Sequence, residues 1–219
     1  MTGRQFVEEM NATLWQLLRV HDAALEGLAD AVTRADVPQL LHGALRAELE
    51  ATEIAALWVA STPEIEARLA FARQAGDEAK HFMIIERRLR EMGVDPDASS
   101  VLASGHSKLF KYLETLETTV ERVAAAQFTR EAIGYKSNEL FVAFCQEAGD
   151  RITADMYLAY IQPDEKHHHE WGKDLLAALA VTKEPQAAAR KAILTTLELA
   201  EELRSLAAGR LLVETLPGC

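Results

Sequence analysis

Apolar positions recur at intervals of three and four along most of the chain, the period of an α-helix that buries one face. Phe6, Met10, Leu14, Leu17, His21, Leu25, Leu28 and Val32 form one such stripe and predict a helix over 4–32. A second helix, over 37–60, follows Asp36-Val37-Pro38, where the aspartate caps and the proline sits in the first turn. Ser61-Thr62-Pro63-Glu64 closes it and opens a helix over 63–92, which Gly93 stops and Pro96 follows. Residues 94–106 are small and polar and predict a crossover loop, with His106 as a loop histidine. A short helix over 107–117 leads to Thr118-Thr119-Val120-Glu121, a capping box that starts a helix over 118–148. Gly149-Asp150 pairs a stop with a new cap, giving a helix over 150–180. A last helix over 184–208 carries Ala189, Ile193, Thr196, Ala200, Leu203 and Leu206 inward.

The inner stripes of the four middle helices carry ionisable residues where apolar ones belong. Glu48 falls in line with Leu41, Leu45 and Val59; Glu78 and His81 with Phe71, Ile85 and Leu89; Glu131 with Phe128, Asn138 and Val142. Glu165 and His168 fall in line with Ala154, Leu158, Ile161, Gly172, Leu175 and Leu179. A carboxylate on a core face is costly unless it is paired or bound to metal. Asp77-Glu78-Ala79-Lys80-His81 and Asp164-Glu165-Lys166-His167-His168 repeat one pattern, Glu-x-x-His preceded by Asp. Residues i and i+3 of a helix share a face, so each copy aims one carboxylate and one imidazole at one point. With Glu48 and Glu131 one hairpin upstream of each copy, four carboxylates and two imidazoles from four helices make the ligand set of a dinuclear iron or manganese site.

Alternatives exist at two positions. Glu50 and Glu53 compete with Glu48, since Ala47, Glu50, Ile54 and Leu57 also align. Pro163 removes a backbone hydrogen bond and predicts a kink or bulge beside Glu165; a rotation there would put Asp164 and His167 in place of Glu165 and His168. Asp77 and Asp164 are candidates to orient an imidazole through its free N–H, with a solvated helix face as the alternative. Tyr135, one turn from Glu131, is placed either to hydrogen-bond a ligand or to pack. His21 has no carboxylate partner on its own face and reads as a packing histidine, Cys145 as a buried core thiol, and Cys219 as an exposed one.

Composition narrows the class. The 219 residues are 49 % hydrophobic with few aromatics and only six prolines, as in a single Ala/Leu/Glu-rich helical domain spanning 1–219. A net charge of −11 without a basic stripe argues against a nucleic-acid partner. No run of about 18 apolar residues exists to span a membrane. The opening Met1-Thr2-Gly3-Arg4-Gln5 lacks the layout of a signal peptide, and two cysteines make no disulfide framework, so a cytoplasmic protein is expected.

At Glu48, Glu78-x-x-His81, Glu131 and Glu165-x-x-His168 the sequence resembles the ferritin-like diiron carboxylate superfamily over about residues 37–180. The two Glu-x-x-His copies are similar to its oxidase and oxygenase members and to rubrerythrin-like proteins; storage ferritins carry one. The resemblance implies an all-α fold, a ferritin-like four-helix bundle with extra N- and C-terminal helices. It implies two iron ions, with manganese as an alternative, bridged by Glu78 and Glu165, with Glu48 and Glu131 as terminal ligands and one imidazole on each metal. Such a centre activates O2 to oxidise a small apolar substrate. The alternative is a ferroxidase or peroxide-scavenging protein with no organic substrate, and a metal-free helical interaction module is the third reading. No Cys-x-x-Cys rubredoxin segment follows, so the electron donor is expected to be another protein; a homodimer is left open.

Overall fold

A computed structural model of the chain describes residues 1–25, 37–97, 101–103 and 105–211, the side chains of 20–25 and 204–211 excepted. The expectations for Asp36, the His21 side chain and Cys219 fall outside the described residues. What is described is all-helical, with no strand. Helix α1 spans Gly3–Leu25, α2 Val37–Ser61 and α3 Ile65–Glu91. The short α4 is Lys108–Glu114. Helix α5 runs unbroken through Thr119–Val123, a π-helical stretch Ala124–Arg130, and Glu131–Glu147. Helix α6 does the same through Arg151–Met156, a π-helical stretch Tyr157–Ile161, and Gln162–Leu179, and α7 is Lys183–Leu211.

The predicted punctuation is where the helices begin and end. Thr118 accepts from Glu121 N while Glu121 reaches back to the Thr118 backbone, so the capping box is complete. Asp150 accepts from Thr153 N at the start of α6, directly after Gly149 at φ +81°. Gly93, at φ +78°, sits past the end of α3, in the left-handed region that favours glycine. Ser107 caps α4 by accepting from Phe110 N.

Helices α2 and α3 form an antiparallel hairpin, and α5 and α6 pack along each other and against α3. Helices α1 and α7 lie outside, on α6 and on the first half of α5 respectively. Every residue from Arg122 to Ala132 is therefore buried, and α5 is the central helix. The α1 stripe buries Phe6, Val7, Met10, Leu14 and Leu18, so Leu18 takes the inward place expected for Leu17.

Two apolar clusters form the core. One gathers Trp58, Phe71, Phe128 and Leu175 with the inner faces of α1 and α7. The other gathers Leu41, Leu45, Ile85, Phe141, Tyr157 and Ile161. Each of α2, α3, α5 and α6 crosses from one cluster to the other, and the crossing points are Glu48, Glu78 to His81, Glu131, and Glu165 to His168. A polar layer is thus sealed by apolar packing on both sides.

Both π-helical stretches lie on α5 and α6 just before their polar residues. In α6 the cause is Pro163, which has no N–H to donate to Ala159 and whose ring would press on that carbonyl; widening the preceding turn relieves the clash. The extra residue shifts the register before the proline. Tyr157 is fully buried and Leu158 is 49 % exposed, reversing the expected inward place of Leu158. In α5 the Thr129 hydroxyl donates to the Ala124 carbonyl at 2.7 Å, occupying an acceptor that the widened turn frees.

Candidate metal centre

All six residues of the two Glu-x-x-His sets and their upstream glutamates meet in the polar layer. They form two groups: Glu48, Glu78, His81 and Glu165, and Glu78, Glu131 and His168. Within each group the donor atoms lie within 4.8 Å of one another, and Glu78 is common to both. Glu165 joins the His81 group, so by this grouping Glu78 alone stands between the two imidazoles. None of the six is more than 3 % exposed.

Both imidazoles are oriented alike. His81 turns Nδ1 to the carboxylates of Glu78 at 3.2 Å, Glu48 at 3.5 Å and Glu165 at 3.8 Å. His168 turns Nδ1 to Glu131 at 3.0 Å and Glu78 at 3.4 Å. The outward nitrogens meet the two aspartates across the hairpins. His81 Nε2 lies 3.2 Å from Asp164, and His168 Nε2 lies 3.1 Å from Asp77. Each aspartate therefore serves the imidazole of the other motif, which fixes Nε2–H as the outward donor and leaves Nδ1 for the centre. Lys80 bonds Asp164 and lies 3.7 Å from Asp77, and Arg73 donates to Asp77 at 3.3 Å. Gln74 donates to Glu131 at 2.6 Å from one turn below Glu78.

The electrostatics are those of a crowded acidic cavity. Burial, opposed by His81 and reinforced by Glu78, pushes Glu48 up to about 7. Burial, with Glu131, Glu78 and Glu48 adding to it, holds Glu165 well above the carboxylate range. Burial acts on Glu78 too, but hydrogen bonds from His168 and His81 outweigh it and hold that carboxyl well below its usual value. Burial would lower His81; Glu48 and Glu78 outweigh it and raise it to about 12. Burial likewise opposes the rise at His168, which Asp77, Glu131 and Glu78 impose. The acids are therefore balanced by protons on imidazoles and carboxyls, the places that metal ions would take over.

The residues fit that exchange. Glu48 Oε1 and Glu78 Oε1 are buried oxygens without a hydrogen-bond donor, a costly arrangement that a cation removes. The donors are carboxylate oxygens and imidazole nitrogens with no thiolate, which suits iron or manganese better than soft-ligand sites. Beside the carboxylates lies a cavity of about 10 Å³ lined by Ala47, Glu48, Ala51, Glu78, Arg130, Glu131 and Glu165.

The competing residues are engaged elsewhere. Glu50 is buried but accepts from Ser107 N at 2.7 Å and Ser107 Oγ at 2.6 Å, tying α2 to the start of α4. Glu53 bonds His106 at 2.6 Å, and that ring stacks on Phe110. His167 is exposed beside Trp171, so the rotation considered for Pro163 does not take place at the histidines. His169 is buried, with Nδ1 at 2.7 Å from the Phe128 carbonyl and Nε2 at 3.1 Å from Asn11. Tyr135 packs edge-on against Trp15 with Glu139 beside its hydroxyl. Cys145 is a buried free thiol whose ionisation burial pushes up to about 12.

Sequence reasoning missed Arg130 and Gln74. Arg130 directly precedes Glu131 and is 3 % exposed, a burial that helical periodicity does not assign because all faces of α5 are covered there. Gln74 was legible as an i−4 neighbour of Glu78 on the inner face.

Among the described residues no helix is long and apolar enough to cross a membrane. No curated protein and no solved structure matches the chain. The model of the family described as "Protein of unknown function (DUF455)" matches residues 8–202, and the chain belongs to that family.

Proposed function

We propose that the protein is a dinuclear iron carboxylate oxidoreductase, manganese being the alternative metal, built on a ferritin-like bundle of α2, α3, α5 and α6. One observation carries the reading: two imidazoles and four carboxylates from four helices meet in a sealed layer, in two groups that share Glu78. Four glutamate charges balance two divalent ions, and neutral imidazoles add none. A bound and reduced pair would supply two electrons to O2. The chain's own contribution is positioning. Asp77 and Asp164 hold Nε2–H of the opposite imidazole, Gln74 fixes one oxygen of Glu131, and the two apolar clusters keep water from the layer.

The size of the cavity favours a second reading of the same centre. About 10 Å³ takes one water-sized molecule and no organic substrate, as suits a ferroxidase or a peroxide-consuming protein. Metal analysis of protein purified without chelator tests the shared claim, with two metal ions per chain expected. Anaerobic reduction followed by O2 or by hydrogen peroxide, watched optically, separates the readings. Faster reoxidation by peroxide supports the second, and faster reoxidation by O2 the first. Protein that carries no iron or manganese, and takes up neither, sinks both.

A further inference from the structure

The cavity beside the carboxylates is lined by one cation, Arg130. Its guanidinium is only 3 % exposed, and one nitrogen donates to the Ala47 carbonyl at 2.8 Å on the facing helix α2. That bond fixes the side chain across the cavity mouth between α5 and α2. A guanidinium keeps its charge at any pH a protein tolerates, so Arg130 brings a permanent positive charge to the layer.

The charges around it can be added for the loaded centre. Four glutamates contribute −4 and two divalent ions +4, with imidazoles neutral. The outer ring also cancels, since Asp77 and Asp164 face Lys80 and Arg73. Arg130 is left as an excess of +1 in a buried site, and such an excess is expensive without an anion. The cavity has room for one small group within reach of the arginine and of the carboxylate layer.

We infer that the loaded centre takes a small monoanion in this cavity, of the size of azide, formate or deprotonated hydrogen peroxide, and that Arg130 selects it by charge. The inference rests on the dinuclear metal reading and adds the ligand class to it. A neutral molecule of equal size gains nothing from the guanidinium, whereas a monoanion neutralises the excess and can accept a charge-assisted hydrogen bond.

Azide is the probe. Iron-loaded full-length protein is titrated with azide, following the azide-dependent absorption band and the melting temperature. Binding is expected in the wild type. Arg130→Gln is expected to weaken it at least tenfold while retaining its iron, and Arg130→Lys to stay within a few-fold of wild type. An azide affinity within twofold of wild type in an iron-loaded Arg130→Gln protein overturns the inference and leaves the metal reading standing. Should Arg130→Gln not fold, the wild type decides. Loaded protein showing neither an azide band nor an azide-induced rise in melting temperature overturns the inference, and the same rise in metal-free protein does so too. Failure of the metal reading is seen separately, as absence of iron before azide is added.

Discussion

The aspartates before the two Glu-x-x-His motifs act across the molecule rather than along their own helices. Asp77 sits next to Glu78 in sequence but meets His168 Nε2 at 3.1 Å, and that hydrogen bond first, with burial opposing it, lowers its carboxyl to about 2. Asp77→Asn keeps the shape but replaces an anionic acceptor with an amide. Metal affinity is expected to fall about 10- to 100-fold, the usual cost of losing such a partner, with helical content unchanged. A competition titration against a chelator reads the change, and an unchanged affinity would show that the aspartate only decorates the surface. The same pair shows what was legible. Spacing along the chain announced each motif, and the Asp of each copy was recognisable as an imidazole partner. Which imidazole it serves depends on how the hairpins face each other, and no local pattern encodes that. Glu48 and Glu50 make the same point. Both are buried on α2, and what separates them is Ser107, far off in sequence, which occupies both oxygens of Glu50.

At the scale of elements, the helix ends were legible because caps are local chemistry, and the register within helices was less so. Thr118 with Glu121, and Gly149 with Asp150, signal their turns through side chains a few residues away. Pro163 signalled an irregularity, but the exchange of Leu158 for Tyr157 follows from a π-helical turn whose position the packing of α6 decides. The contact of α5 with α6 gives a direct test. A Cβ on Gly172 would lie 2.7 Å from the Gln127 carbonyl carbon and 2.8 Å from Phe128 N, so backbone must move to admit it. Gly172→Ala is expected to lower stability by about 1–3 kcal/mol, as overpacked sites do, read as an earlier urea midpoint. The α5–α6 turn gives another. Burial would raise Asp150, but bonds from Thr153 and Arg88 outweigh it and lower it, so its contribution is present above the unfolded value and lost as pH falls through the folded one. Asp150→Ala is expected to cost about 1–2 kcal/mol at pH 7, and the gap to wild type should close below about pH 4. A gap that persists at pH 3 would assign the cost to packing instead of charge.

For the whole molecule, the metal centre links pH to stability in opposite senses with and without metal. In the metal-free protein, burial first and Glu78 next hold Glu48 at about 7, above its ordinary 4.5. Its contribution is complete at acid pH and lost as pH rises through about 7. His81, held at about 12 by Glu48 and Glu78 against the opposing effect of burial, contributes fully below its unfolded 6.5 and ever less above it. Both groups thus bind more protons folded than unfolded between pH 6 and 8, so metal-free protein should lose stability steadily over that range. Metal binding needs ionised carboxylates and neutral imidazoles, so it releases those protons and strengthens as pH rises. A metal that binds only the folded state stabilises it by about 2.7 kcal/mol at a hundredfold excess over Kd. Melting curves with and without Fe²⁺ or Mn²⁺ at pH 6, 7 and 8 should therefore diverge: the metal-free midpoint falls with pH while the metal-induced increment grows. Glu78→Ala should abolish the increment and keep a helical spectrum, because the two apolar clusters supply most of the packing. Midpoints that neither metal moves at any of the three pH values would mean that the buried acids form a protonated structural layer and that no dinuclear centre assembles there.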